Sequence, residues 1–188
     1  MNSRIAFIGG GNMATSLVGG LITNGYTSDL IMVAEPDASK LQSLQQTYNI
    51  QTSTDNNQAI AQADIVVLAI KPQIMQDVCR ASADAVQQKQ PLIISIAAGI
   101  RSSDIDRWLG GNCAIVRCMP NTPALLQAGA TGLFANTNVN EEQHRIADAI
   151  LATAGINLWV DTESLLDAVT AVSGSGPAYF FLMMEAMQ

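Results

Sequence analysis

The sequence predicts an α/β protein: a doubly wound, largely parallel sheet followed by the start of an all-α domain. Three observations carry this. Short apolar, β-branched runs alternate with longer stretches of helical periodicity. The early runs are apolar at every position, as strands covered by helices on both faces must be. The closing stretch SGSGPAYFFLMMEAMQ is apolar on nearly every side of a helix, which suits burial among other helices.

The first strand is expected at 5–8 and the first helix at 13–24, with only Gly9-Gly10-Gly11 and one residue between them. A strand at 30–33 and a helix at 39–48 follow. A weaker strand lies near Ile50, before a helix at 56–63. The run IVVLA predicts a strand at 65–69, and the helix at 74–88 returns the chain to a strand at 92–96. A helix at 103–109 leads to a strand at 114–117. Two later strands are expected at 132–135 and 157–160, separated by a helix at 141–154. A helix at 164–171 precedes the terminal helix. Pro177 suits the first turn of that last helix, with Ser175 or Gly176 as its cap. The expected domains are 1–161, the nucleotide-binding unit, and 162–188, the incomplete beginning of a helical unit.

Composition narrows the function. A chain of 188 residues, 48% hydrophobic, can bury one core and carry a second piece. A formal charge of −7 argues against nucleic acid or an anionic membrane as partner. No apolar run is long enough to span a bilayer, and the N-terminus lacks the pattern of a secretory signal, so a cytoplasmic protein is expected. Cys79, Cys113 and Cys118 are odd in number and follow no metal spacing; they read as reduced thiols. His144, the only histidine, sits in a polar helix and is expected to be a solvated surface residue. One histidine without a cysteine pair makes no zinc site, and no metal is expected.

The glycines explain how the first strand meets the first helix so abruptly. Gly9-Gly10-Gly11-Asn12-Met13-Ala14 fits G-x-G-x-x-A between a strand and a helix. In that setting Gly9 permits the tight turn and Gly11 lets a pyrophosphate approach the backbone. Ala14 lets helix and strand pack closely, and the helix N-terminus faces the phosphates. Following the first strand and opening a helix, it reads as a Rossmann-type dinucleotide site, with a glycine turn that only serves packing as the plain alternative. At the end of the second strand, in VAEPDASK, Glu35 stands close to the position, roughly 20 residues past the glycines, where an acid hydrogen-bonds the ribose hydroxyls of NAD and repels the 2′-phosphate of NADP. The residues alone therefore lean towards NAD, with a solvated turn as the plain alternative for Glu35. Asp37 reads as a helix cap. Lys71-Pro72, the small residues Ala97-Ala98-Gly99, and the loop with Pro120, Asn121, Thr122 and Pro123 all close strands at the same sheet edge, where ligands bind in such folds.

Taken together, FIGGGNMA, ADIVVLAIKPQ, SIAAGI, RCMPNTPALLQAG and VSGSGPAY resemble the pyrroline-5-carboxylate reductase family, in order and across the whole chain. The first motif fits many dehydrogenases; MPNTPA combined with SGSGPAY is far more specific. The resemblance implies hydride transfer from NADPH or NADH to the C=N bond of 1-pyrroline-5-carboxylate, giving L-proline. By position, Ile8, Gly9, Gly10, Gly11, Asn12 and Met13 would hold the pyrophosphate and Asn56 would lie near the adenosine ribose. Ala69, Lys71 and Pro72 would line the cofactor, beside Ala97 and Ala98 near the nicotinamide, with Asn121 bordering the pocket. Members commonly use NADPH, some NADH, and the position of Glu35 is often small or hydroxylated, so this chain departs from the pattern there.

The family continues past SGSGPAY with helices that form an intertwined dimer, often built into larger rings, and with a loop that binds the substrate carboxylate. The apolar terminal helix is accordingly expected to be a dimerisation helix, in a homodimer or larger homo-oligomer, with much of the substrate pocket beyond it. Reduction of an imine needs little from side chains, so no catalytic acid is assigned; Lys71 is expected to position rather than to transfer a proton. Ser175 and Gly176 are candidates for the substrate side, since a helix start offers N–H groups to a carboxylate. Two rival readings stay open at this point: a reductase of the β-hydroxyacid dehydrogenase type, and a nucleotide-binding module without turnover.

Overall fold

A computed structural model describes residues 3–188. Eight strands form one sheet in the order β3-β2-β1-β4-β5-β6-β7-β8. They are β1 Ile5–Ile8, β2 Ile31–Ala34, β3 Gln51–Ser53, β4 Ile65–Leu68, β5 Leu92–Ser95, β6 Ile115–Met119, β7 Gly129–Ala135 and β8 Gly155–Trp159. All neighbours are parallel except β6 and β7. The exception follows from chain length: a short 3-10 turn, Thr122–Leu126, joins these two strands, too little for a parallel crossover.

The helices are α1 Asn12–Thr23, α2 Ala38–Tyr48, α3 Asn56–Gln62, α4 Pro72–Lys89, α5 Ser102–Trp108, α6 Glu141–Ala152, α7 Leu165–Val169 and α8 Gly176–Ala186. One sheet face packs on α1, α2 and α6 through Leu17, Val18, Leu44 and Ile150. The other packs on α3, α4 and α5 through Ile60, Met75, Val86 and Ile105. Along β1, Ile5 and Phe7 join the first core and Ala6 and Ile8 the second, which is why the early strands carry no polar position.

Element boundaries differ from expectation for local reasons. The second strand begins at Ile31 because Ser28–Leu30 forms a 3-10 turn. Helix α4 begins at Pro72, a residue suited to a first turn. Strand β7 begins at Gly129, earlier than expected, because Gly129–Thr131 pair with Gly155–Asn157 of β8. Gly155 has φ of 145°, and a Cβ there would run into the carbonyl of Gly129. His144 is half-buried rather than freely solvated: its ring stacks on Trp159 with centroids 3.6 Å apart. Asp148, one turn further along α6, accepts the Trp159 indole N–H at 2.9 Å, so the aromatic pair closes the end of β8 against α6.

Helix α8 begins at Gly176 with Pro177 in its first turn, as expected, but it has no free N-terminus. Between α7 and α8 the chain widens into a π-helical turn, Thr170–Ser175, and continues without a break. Ser175 has helical backbone angles (φ −97°, ψ −33°) and makes no side-chain cap bond. Pro177 follows this turn, in the first turn of α8. This segment packs on the sheet at its glycines, Gly132 lying against Val169 and Gly174 against the Met119 methyl. Beyond it α8 exposes Tyr179, Phe180, Phe181, Leu182, Met183 and Met184. Among the described residues no helix is long and apolar enough to cross a membrane.

Candidate functional site

Crossovers run outward in opposite directions from β1 and β4, the two central strands. Their carboxyl ends therefore flank the point where a doubly wound sheet leaves a crevice. Ile8 is the buried last residue of β1 and accepts a hydrogen bond from Ala69 N–H at 2.8 Å. Gly9 donates to the Ala34 carbonyl at 2.8 Å. Its φ is 101°, and a Cβ there would stand 2.5 Å from the Ala69 carbonyl oxygen, so only glycine fits. Gly10 passes beneath the Glu35 side chain, where a Cβ would meet Leu44, Glu35 and Val33 at 3.2–3.4 Å.

Gly11 is different. It has an ordinary φ of −76°, caps α1 without a side chain, and a Cβ there would touch nothing within 4 Å. The first turn of α1 carries no acidic residue. Asn12 is exposed, Met13 half-buried and Ala14 buried, so the N–H groups of this turn face outward from a rigid cradle. A pyrophosphate fits this donor set: uncapped N–H groups, the positive end of a helix dipole, and a glycine where a side chain would stand in the way. The Ser16 hydroxyl donates to the Ala124 carbonyl at 2.6 Å and ties α1 to the loop after β6.

The other expected residues fall along the same edge. Ala69 follows β4; Lys71 is exposed and caps α4, and Pro72 opens it. After β5, Ala97 is buried, whereas Ala98 and Gly99 are exposed. Asn56 opens α3 behind its cap Asp55. Asn121 lies at the end of β6 with both ends of its amide engaged: Oδ1 accepts from Ala130 N–H and Nδ2 donates to the Ser173 hydroxyl, each at 2.9 Å. The second bond brings the turn that carries Ser175 and Gly176 to the same edge, though not as a helix N-terminus.

Glu35 faces inward. Its side chain is 12% exposed, and Oε2 accepts the Gly10 N–H at 2.9 Å. Oε1 lies 3.3 Å from the Asp37 N–H and 3.8 Å from Lys40 Nζ. It is thus neither a free solvated turn residue nor a carboxylate reaching outward alone. Asp37 caps α2, accepting from Ser39 N–H at 2.9 Å.

Sequence reasoning missed two features. One is a groove of about 390 Å³ between α1 and α2, running from Gly10, Gly11 and Asn12 past Lys40 to Tyr48. The other is a polar cluster in which Arg117, Glu163 and Ser102 join β6, the start of the terminal helices and α5. The one charge in the apolar run IVRCM was the signal for the second.

The profile of the family described as "NADP oxidoreductase coenzyme F420-dependent" matches residues 4–99, and that described as "Pyrroline-5-carboxylate reductase dimerisation" matches residues 163–188. A pyrroline-5-carboxylate reductase of Pseudomonas aeruginosa is 52% identical over 184 residues, covering 98% of this chain and 67% of that protein. The solved structure of a pyrroline-5-carboxylate reductase from Coxiella burnetii superposes with a TM-score of 0.94 at 45% identity, covering 99% of this chain and 69% of the other. The pyrroline carboxylate reductase of Plasmodium falciparum, solved with NADP bound, gives 0.85 at 28% identity, covering 98% and 67%. The chain spans about two thirds of the length of each of these relatives. At these identities over nearly every residue, the chain belongs to the pyrroline-5-carboxylate reductase family.

Proposed function

We propose that this protein reduces 1-pyrroline-5-carboxylate to L-proline with NADPH or NADH. The observation that carries the proposal is the glycine cradle of Gly9–Gly11, at the switch point of a sheet whose whole length aligns with reductases acting on that substrate. The nicotinamide cofactor supplies the hydride, which goes to the carbon of the C=N bond while a proton goes to the nitrogen.

The chain's own residues bind and orient. Gly11, Asn12 and Met13 offer their backbone N–H groups to the pyrophosphate, while Ile8, Gly9 and Gly10, whose turn is held by the Ala34 carbonyl and the Glu35 carboxylate, shape the floor on which it lies. Asn56 and Glu35 attend the adenosine end. Ala69, Lys71, Pro72, Ala97 and Ala98 line the path to the nicotinamide, where small side chains let a flat ring lie close to backbone. Asn121 holds the loop after β6 rigid beside that ring. An iminium carbon accepts hydride readily, so alignment and exclusion of water supply most of what the reaction needs. Ser175 and Gly176 remain proposed for the substrate side through their position beside Asn121, not as a helix cap.

Residues 1–161 are proposed as the dinucleotide-binding domain and 162–188 as the opening of the helical domain. Its exposed α8 would pair with a second copy in a homodimer or larger assembly. A cytoplasmic location belongs to the same proposal, supported by three free thiols. Substrate-dependent oxidation of NADPH and NADH by the protein carried through its helical domain tests the activity. Turnover sustains it. Cofactor binding with no turnover would leave a nucleotide-binding module in its place.

A further inference from the structure

We infer that Glu35 makes this site select NADH over NADPH. The inference rests on the dinucleotide reading of the cradle and adds which dinucleotide it takes. A relative solved with NADP bound shows that the scaffold tolerates a 2′-phosphate. Discrimination in this chain must therefore come from side chains after β2.

Those side chains form a fixed acceptor. The Gly10 N–H holds Glu35 Oε2 at 2.9 Å, and the backbone there has no Cβ to push the carboxylate away. The same turn that cradles the pyrophosphate thus also fixes the carboxylate, and the two move as one unit. Oε1 is the less committed oxygen, with a long contact of 3.3 Å to Asp37 N–H and a loose ion pair at 3.8 Å. It retains capacity to accept a hydrogen bond from a ribose hydroxyl, and a pre-positioned charged acceptor loses little entropy in doing so.

A 2′-phosphate would meet the opposite arrangement. Glu35 and Asp37 outweigh Lys40 in this turn, and no arginine occurs between residues 35 and 48. Among the described residues Lys40 is the only cation lining the groove beside the glycine turn; its side chain is 52% exposed and already leans on Glu35. A doubly charged group placed here would face net negative charge with one screened partner.

Calorimetric titration with NADH and NADPH, at low and at high salt, tests this by binding rather than turnover. The expected result is tighter binding of NADH by about tenfold or more, since juxtaposed like charges are costly at an interface. The gap should narrow as salt screens the repulsion. Glu35→Gln keeps an acceptor for Gly10 and removes the charge, so NADPH should gain affinity and NADH should lose some, shifting the ratio towards NADPH. Glu35→Ser should favour NADPH further, with a thermal melt to verify that the turn still folds. Equal or tighter binding of NADPH by the native protein, or an unchanged ratio in both variants, would overturn the inference. Absence of binding by either dinucleotide would overturn the dinucleotide reading with it. NADH selection without pyrroline-5-carboxylate turnover would sustain this inference and overturn the reductase proposal alone.

Discussion

Arg117 Nη1 donates to Glu163 Oε1 at 2.9 Å, tying strand β6 to the start of the terminal helices. Arg117 is 5% exposed although it lies in an otherwise apolar strand. Glu163 also accepts the Ser102 N–H at 2.6 Å and the Ser102 hydroxyl at 3.0 Å, so one carboxylate gathers β6 and α5 together. The Arg117 Nε has no partner among the described residues, which leaves Glu163 as the counter-charge that makes this burial tolerable.

Removing Glu163 should therefore cost more than the contact itself is worth. Glu163→Ala is expected to lower unfolding free energy by about 3 kcal/mol, because it strands a buried guanidinium. Replacing both partners with apolar residues, Arg117→Met with Glu163→Leu, should recover most of that loss. Urea unfolding of the two variants beside the native protein measures it. A double variant as unstable as the single one would show that the pair does more than neutralise itself.

The same carboxylate gives stability a sign with pH. Burial pushes the Glu163 carboxyl up, but the hydrogen bonds from Ser102 and the guanidinium of Arg117 outweigh burial and hold it below the ordinary carboxylate range. A depressed folded value means the unfolded chain takes up the proton first as pH falls. The contribution is complete above the unfolded value and is lost on acidification through the folded value. Glu163→Gln should flatten the acid limb of the curve of melting temperature against pH and leave its neutral slope unchanged.

Gly9 and Gly11 should separate folding from binding. Gly9→Ala forces a side chain onto the Ala69 carbonyl at an unfavourable φ, so both stability and dinucleotide binding should fall. Gly11→Ala meets nothing within 4 Å, at a φ any residue adopts. It should melt within a few degrees of the native protein yet bind dinucleotide at least about tenfold more weakly, because the methyl stands where a phosphate approaches. Unimpaired binding by Gly11→Ala would place the pyrophosphate elsewhere.

What the sequence disclosed, and what it hid, divides along a physical line. Strands such as IAFI and IVVL are apolar at every position, so both burial and the parallel sheet could be read from them directly. The G-x-G-x-x-A turn was legible for the same reason: Gly9 answers a local demand that no other residue meets. Glu35 was noticed as an acid at the end of β2, but its hold on Gly10 depends on a contact 25 residues away, and no local pattern records that. The stacking of His144 on Trp159 is hidden likewise, because a polar helix face gives no sign of one aromatic waiting on it. Pro177 marked the start of α8 correctly, but nothing local to it showed that a π turn runs into that helix from α7.

The three cysteines should be inert in the folded protein. Burial pushes the Cys79 thiol up to about 12 and the Cys113 thiol up to about 11, and raises that of Cys118 as well. The thiolate is the reactive species, and near neutral pH these sites hold almost none of it. Titration with a chromogenic disulfide should find no rapid reaction with the native protein and three thiols in denaturant. A fast single-thiol phase without denaturant would indicate local opening around the cysteine responsible.

Helix α8 should drive self-association. It exposes two phenylalanines, a leucine and a row of methionines with no polar face to set against solvent. Each large apolar side chain covered by a partner returns about 1.5–3 kcal/mol, so a few of them suffice to hold a dimer. Sedimentation velocity across a concentration series should show dimers or larger species at micromolar protein. Phe181→Glu together with Met184→Glu sets two charges one turn apart on this helix, and should weaken the dimer by about tenfold or more. These side chains are exposed in the single chain, so the substitutions should leave its melting temperature nearly unchanged. A native chain that stays monomeric throughout the series would exclude α8 as the assembly surface.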